Sequence, residues 1–106
     1  MNEILVGSSR SIKEWQSIVT ELATAKGFNW TKDNVDTMLL RIHSEISEAS
    51  EAIRDDNFEG FAEELADVFI RLVNLCKVCN IDLEREVIKK HNRNLNRQNL
   101  HGRKKK

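Results

Sequence analysis

Apolar residues in this chain recur every three or four positions in four separate stretches. Ile12, Trp15, Ile18, Val19 and Leu22 mark a first helix, with Ser9 or Ser11 as its cap and Gly27 as its C-terminal stop. Val35, Met38, Leu39, Ile42, Ile46, Ala49 and Ile53 form one stripe of a second helix, predicted from near Asn34 to Arg54. Asp55-Asp56-Asn57 breaks it and Gly60 helps the turn. A third helix is predicted from about Phe61 to Cys79, carrying Leu65, Val68, Phe69, Leu72, Val73 and Cys76. Asp82, at the next break, is the expected N-cap of a fourth helix with Leu83, Val87 and Ile88, whose periodicity fades after His91. The expected fold is all-α: a four-helix-type bundle built on an antiparallel hairpin of the second and third helices. Their narrow, heptad-like stripes suit packing against another helix pair, so dimerisation is expected to complete the bundle.

Composition agrees with that pattern. The chain has 106 residues, no proline and only four glycines, too little turn chemistry for a many-stranded β fold. Its length suits one domain, predicted over residues 1–96, followed by a basic tail over 97–106. No apolar run approaches the ~18 residues of a membrane span, and MNEILVGSSR lacks the basic-then-apolar order of a signal peptide, so a cytoplasmic location is expected.

The formal net charge of zero hides a division. All 17 acidic residues lie at or before Glu86, whereas Lys89, Lys90, Arg93, Arg97, Arg103, Lys104, Lys105 and Lys106 follow with no acid among them. An acidic body with a basic end fits a nucleic-acid arm, an intramolecular clamp, or an anion held between a metal and the tail.

Within the acidic body, Glu45 and Glu48 stand three apart on the second helix, and Glu64 and Asp67 three apart on the third. Residues at i and i+3 share a helix face, so each pair can aim two carboxylates at one point. The hairpin sets the pairs at similar heights, roughly 10–13 Å from the turn at ~1.5 Å per residue. Such pairs are also common on solvated helix faces. Gathered near an interior, however, four carboxylates repel one another and call for a cation, and hard oxygen ligands suit Mg²⁺ or Mn²⁺.

Ile42-His43-Ser44-Glu45-Ile46-Ser47-Glu48-Ala49, followed by Glu63-Glu64-Leu65-Ala66-Asp67-Val68, resembles the ExxE…ExxD signature of the MazG-type all-α nucleotide pyrophosphohydrolases. The resemblance extends over about residues 35–104, through Ile81-Asp82-Leu83 to a KxxxNxxR and HGxK pattern at Lys90, Asn94, Arg97, His101, Gly102 and Lys104. It implies a Mg²⁺-dependent enzyme that splits nucleoside triphosphates into monophosphate and pyrophosphate in nucleotide-pool control. Glu45, Glu48, Glu64 and Asp67 would be its metal ligands and catalytic residues, and Lys90, Asn94, Arg97 and Lys104 its phosphate contacts. A triphosphate needs neutralisation from several sides, which a metal opposite cationic and amide donors provides. The sequence departs from its relatives at Asn74, often aspartate, at Gln98, usually proline, and at Arg93, usually aromatic.

The remaining residues allow more than one role. Trp30, with Phe28, suits either a base-stacking wall in the substrate site or an apolar plug over the bundle end. Trp15 belongs to the core stripe of the first helix. Arg71, four residues after Asp67 and seven after Glu64, suits either orienting ligands or touching phosphate, or an intrahelical ion pair, the commoner arrangement. Cys76 and Cys79 lack histidines at zinc spacing and read as reduced helix cysteines. His43 has no nucleophile arrangement around it. The competing functional reading is a non-catalytic helical dimerisation module whose basic tail contacts nucleic acid or an acidic partner. Under the enzymatic reading the partners are a nucleoside triphosphate and further copies of the chain, as homodimer or homotetramer, with neither membrane nor nucleic acid.

Overall fold

The computed structural model describes residues 3–97, 99–100 and 103–104, the last four through their backbone alone. Four helices make up the domain: α1 (Ile12–Ala25), α2 (Val35–Arg54), α3 (Phe58–Val78) and α4 (Leu83–Leu95). A 3-10 turn over Lys32–Asn34 leads into α2. Two short strands, β1 (Asn99–Leu100) and β2 (Arg103–Lys104), pair antiparallel beyond α4. The architecture is all-α apart from that two-residue ladder, which the polar composition of the segment did not suggest.

Helices α1, α3 and α4 each start where a side chain can accept from the free N–H groups of the first turn. At α1 the cap is Ser11, in a reciprocal box: Glu14 N–H donates to Ser11 Oγ (3.1 Å) and Ser11 N–H to Glu14 Oε1 (2.9 Å). Gly27 follows the helix with φ +92°, a conformation that suits glycine. At α4, Asp82 accepts from Arg85 N–H at 3.1 Å.

The third helix begins three residues earlier than its apolar period predicts. Asn57 caps it by accepting from Gly60 N–H at 3.0 Å, so Gly60 belongs to the first turn of α3 and not to the loop. A Cβ at Gly60 would fall 2.3 Å from Asn57 Nδ2, so the absent side chain makes room for the cap. The fourth helix continues past His91 to Leu95, because polar residues that blur the apolar period still propagate a helix once it is nucleated.

The connection Asp55–Asn57 folds α2 back along α3 as a close antiparallel hairpin. Its register is symmetric about Asp56: Glu48 and Glu64 stand eight residues to either side, Glu45 and Asp67 eleven. The α1 helix packs on α3, and α4 departs along α1 instead of closing over the hairpin. The Cα radius of gyration, 16.4 Å, exceeds the ~13 Å expected of a compact chain this long. Met38, Ala49, Val73, Leu75 and Cys76 form the buried apolar core. Leu39, Ile46 and Ile53 on α2, and Phe58, Leu65 and Leu72 on α3, repeat every seven residues and stay exposed beside the seam of the hairpin.

Gln16 ties the pieces together. It is buried within α1; its Nε2 donates to the Ile81 carbonyl (2.8 Å), and its Oε1 accepts from Leu83 N–H (3.3 Å). Nearby, Ile12 N–H donates to Glu84 Oε1 at 3.1 Å. One amide thus satisfies both sides of the elbow between α3 and α4. Replacing Gln16 with alanine leaves two backbone groups without partners and should cost ~2–4 kcal/mol in urea unfolding. The exposed neighbour Ser17→Ala should stay within ~0.5 kcal/mol. Equal midpoints for the two variants would contradict this role.

Candidate metal and nucleotide site

Glu45 lies on the buried side of α2, facing α3, and Glu48 one turn later is exposed. Glu64, half-buried on α3, meets them across the hairpin. Ligand oxygens of the three residues lie within 4.8 Å of one another. The symmetric register brings this about: at ~1.5 Å per residue, Glu48 and Glu64 sit at the same height, ~12 Å from the turn.

The cluster is electrostatically loaded. Arg71 Nε–H donates to Glu45 Oε1 at 3.1 Å, from α3 to α2. Of the two roles the spacing allows, the structure shows the ligand-orienting one: Arg71, one turn beyond the Asp67 that stands opposite Glu45, reaches back across the seam to the Glu45 carboxylate. Glu64 Oε2 is buried with no hydrogen-bond partner. Its pKa is raised from 4.5 to about 7, first by hydrogen bonding of its protonated carboxyl to Glu45, then by burial, then by the charges of Glu48, Glu45 and Asp67. Three carboxylates, one with a buried oxygen lacking any donor, fit a hard divalent cation by donor chemistry.

Asp67 is not part of the three-glutamate group. It is exposed on the turn after Glu64 and lines a cleft of about 280 Å³ between α1 and α3, together with Trp30, Arg41, Arg71 and Asn74. Trp30 is half-buried, stacked on Phe28 with centroids 6.0 Å apart and planes 10° from parallel, and carries the Arg41 guanidinium 5.2 Å from its ring centroid. The loop holding it is set by Thr31, which accepts from Asp33 N–H at 3.2 Å and donates its own N–H to Asn34 Oδ1 at 2.9 Å.

The basic residues lie elsewhere. Lys90 and Asn94 share one side of α4 and Arg97 follows its end; Lys90 and Arg97 are exposed, and none of the three lines the cleft. Asn94 Oδ1 is buried with no partner. Lys104 is described only through its backbone pairing with Asn99, while Gln98, His101, Gly102, Lys105 and Lys106 lie outside the described residues. Cys76 and Cys79 are free thiols, and burial raises the pKa of Cys76, as suits an inert thiol.

A family model described as the MazG nucleotide pyrophosphohydrolase domain matches residues 33–101, more than half of the chain. The chain belongs to the MazG family. The match begins in the 3-10 turn before α2 and so contains all four carboxylates, Arg41, Arg71 and Asn74. Nothing among curated proteins or solved structures matches. Members of this family act on nucleoside triphosphates and typically depend on a divalent metal, with which the glutamate cluster of this MazG domain is compatible. No helix among the described residues is long and apolar enough to cross a membrane.

Sequence reasoning missed Arg41, Gln16 and Thr20, whose hydroxyl donates from α1 to Asn74 Oδ1 at 2.8 Å. Arg41 is visible only as a polar residue one turn before Glu45, and Gln16 as a polar interruption in the first apolar stripe.

The raised pKa of Glu64 gives the metal-free protein a pH signature. Its folded value, about 7, lies above the ordinary 4.5, so the folded chain binds the extra proton. The resulting stabilisation is complete below about pH 4.5 and is lost as pH rises through about 7. In excess chelator, the urea midpoint of the wild type should fall over that interval more steeply than that of Glu64→Gln. Parallel curves would show that Glu64 does not titrate there.

Proposed function

We propose that this MazG domain is a Mg²⁺-dependent nucleoside triphosphate pyrophosphohydrolase, releasing pyrophosphate and a nucleoside monophosphate, with Mn²⁺ as an alternative cation. One observation carries the reading: three carboxylates converge from two helices around a buried oxygen of Glu64 that has no donor. Glu45, Glu48 and Glu64 are the proposed ligands, with Asp67 joining them from the next turn. Bound there, a divalent cation supplies charge neutralisation for the triphosphate and lowers the pKa of water.

The protein's own groups do the rest. Arg71 holds the Glu45 carboxylate by its Nε–H, which fixes one oxygen and leaves the other for a cation. Trp30 offers an aromatic wall at the cleft, where the exposed Arg41 gives way to a base. Lys90, Asn94, Arg97 and Lys104 are the proposed phosphate contacts, with residues 97–106 acting as an arm of a single domain that ends at residue 96. The heptad rows on α2 and α3 are apolar and open, and none of their residues lines the cleft. A second copy of the chain is their proposed cover, in a homodimer or homotetramer that leaves the carboxylates accessible. The reaction belongs with the nucleotide pools of the cytoplasm.

Pyrophosphate release from a panel of triphosphates tests the reading directly. Excess chelator should abolish turnover, and Mg²⁺ should raise Tm by relieving the repulsion at Glu64. Glu48→Gln and Asp67→Asn should lose turnover with helicity unchanged in circular dichroism. A variant that keeps the wild-type kcat removes its residue from the ligand set.

The basic segment separates catalysis from nucleic-acid binding. Arg97→Ala should lower kcat/KM about 10²-fold, equivalent to ~2–3 kcal/mol for a lost charge-assisted contact, while truncation after Gly102 does less. An arm for nucleic acid would give the opposite order, with the truncation flattening the salt dependence of DNA binding.

A further inference from the structure

The cleft beside the carboxylates narrows to a notch of about 20 Å³ framed by Trp30, Met38, Arg41, Arg71 and Asn74. That is room for one water-sized group and nothing bulkier. Its polar surroundings are one-sided. Arginine donates and does not accept, so Arg41 and Arg71 offer only N–H groups.

Asn74 has both a donor and an acceptor, but its acceptor is used. The side chain is buried at 8% exposure, and the Thr20 hydroxyl of α1 donates to its Oδ1 at 2.8 Å. Nδ2 has no protein acceptor among the described residues and is the amide atom left to serve the notch. An amide N–H left facing the notch favours an acceptor there and disfavours another donor, since opposing N–H groups would both go without partners.

The notch is also at the right end of the site. Asn74 follows Asp67 by seven residues, ~10.5 Å along α3, and both line the same larger cleft with Trp30. A nucleotide with its phosphates at the carboxylates would have that length of cleft, walled in part by Trp30, in which to lay its base towards Asn74.

We propose that the Asn74 amide, oriented by Thr20, selects the base: Nδ2 donates to the exocyclic carbonyl oxygen of a keto base seated in the notch. Uracil or thymine O4 and guanine O6 fit, whereas the amino groups at the same positions of cytosine and adenine meet only donors. The proposal deepens the triphosphate reading and rests on it for the substrate's phosphate end. Thr20 acts as a positioning residue, since it touches the amide and not the base.

The experiment measures kcat/KM for UTP against CTP and GTP against ATP, together with calorimetric binding of UMP against CMP, which needs no turnover. Wild type should favour the keto partner more than tenfold in each pair. Asn74→Asp puts an acceptor where Nδ2 was and should lower that ratio at least tenfold. Thr20→Val frees the amide to turn and should bring the ratio towards one, with Thr20→Ser restoring it, a pattern that loss of packing alone would not give. Equal affinity for UMP and CMP, binding of neither, or ratios unchanged in both Asn74→Asp and Thr20→Val would overturn the proposal. Selective UMP binding without pyrophosphate release from any triphosphate would instead defeat the hydrolase reading and leave the base selection standing.

Discussion

The repulsion among Glu45, Glu48 and Glu64 is the constraint around which the hairpin is organised. Three carboxylates from two helices meet at the seam, where apolar neighbours would be expected, and one buried oxygen of Glu64 has no donor. Arg71 relieves part of the repulsion by bridging to Glu45 from the opposite helix. Protonation of Glu64 relieves another part, and its high pKa records how much strain remains. A hairpin designed only for stability would carry none of this, so the cost points to a site.

Around that seam the domain presents two chemically different surfaces. On one side, α1 and the loop before α2 wall off a cleft with an aromatic pair, two arginines and a buried asparagine. Outside that cleft, rows of leucine, isoleucine and phenylalanine at seven-residue intervals stay open. The cleft and the exposed apolar rows are thus built from different residues of the same two helices.

Thr20 and Asn74 show how the first helix enters the site without carrying any of its charged groups. Their 2.8 Å bond orients an amide across a helix interface, while Gln16, one turn earlier on α1, anchors the elbow that launches α4. A change in the packing of α1 would be felt at both the cleft and the basic end.

The four helices, the hairpin and the meeting of Glu45 and Glu48 with Glu64 are legible in the chain, because apolar period, caps and i,i+3 spacing are local properties. The family, too, is visible in the carboxylate motif, which the match over residues 33–101 bears out. What sequence spacing misplaced or left open depended on register and side-chain competition. Asn57 claimed the start of α3, Arg71 crossed to Glu45, and Asp67 stood apart from the three glutamates on the cleft wall. Arg41 and Thr20 became part of the picture only when folding set them beside Trp30 and Asn74. Local backbone preferences choose the helices, but only the packed arrangement decides which polar atoms find partners and which are left facing a ligand.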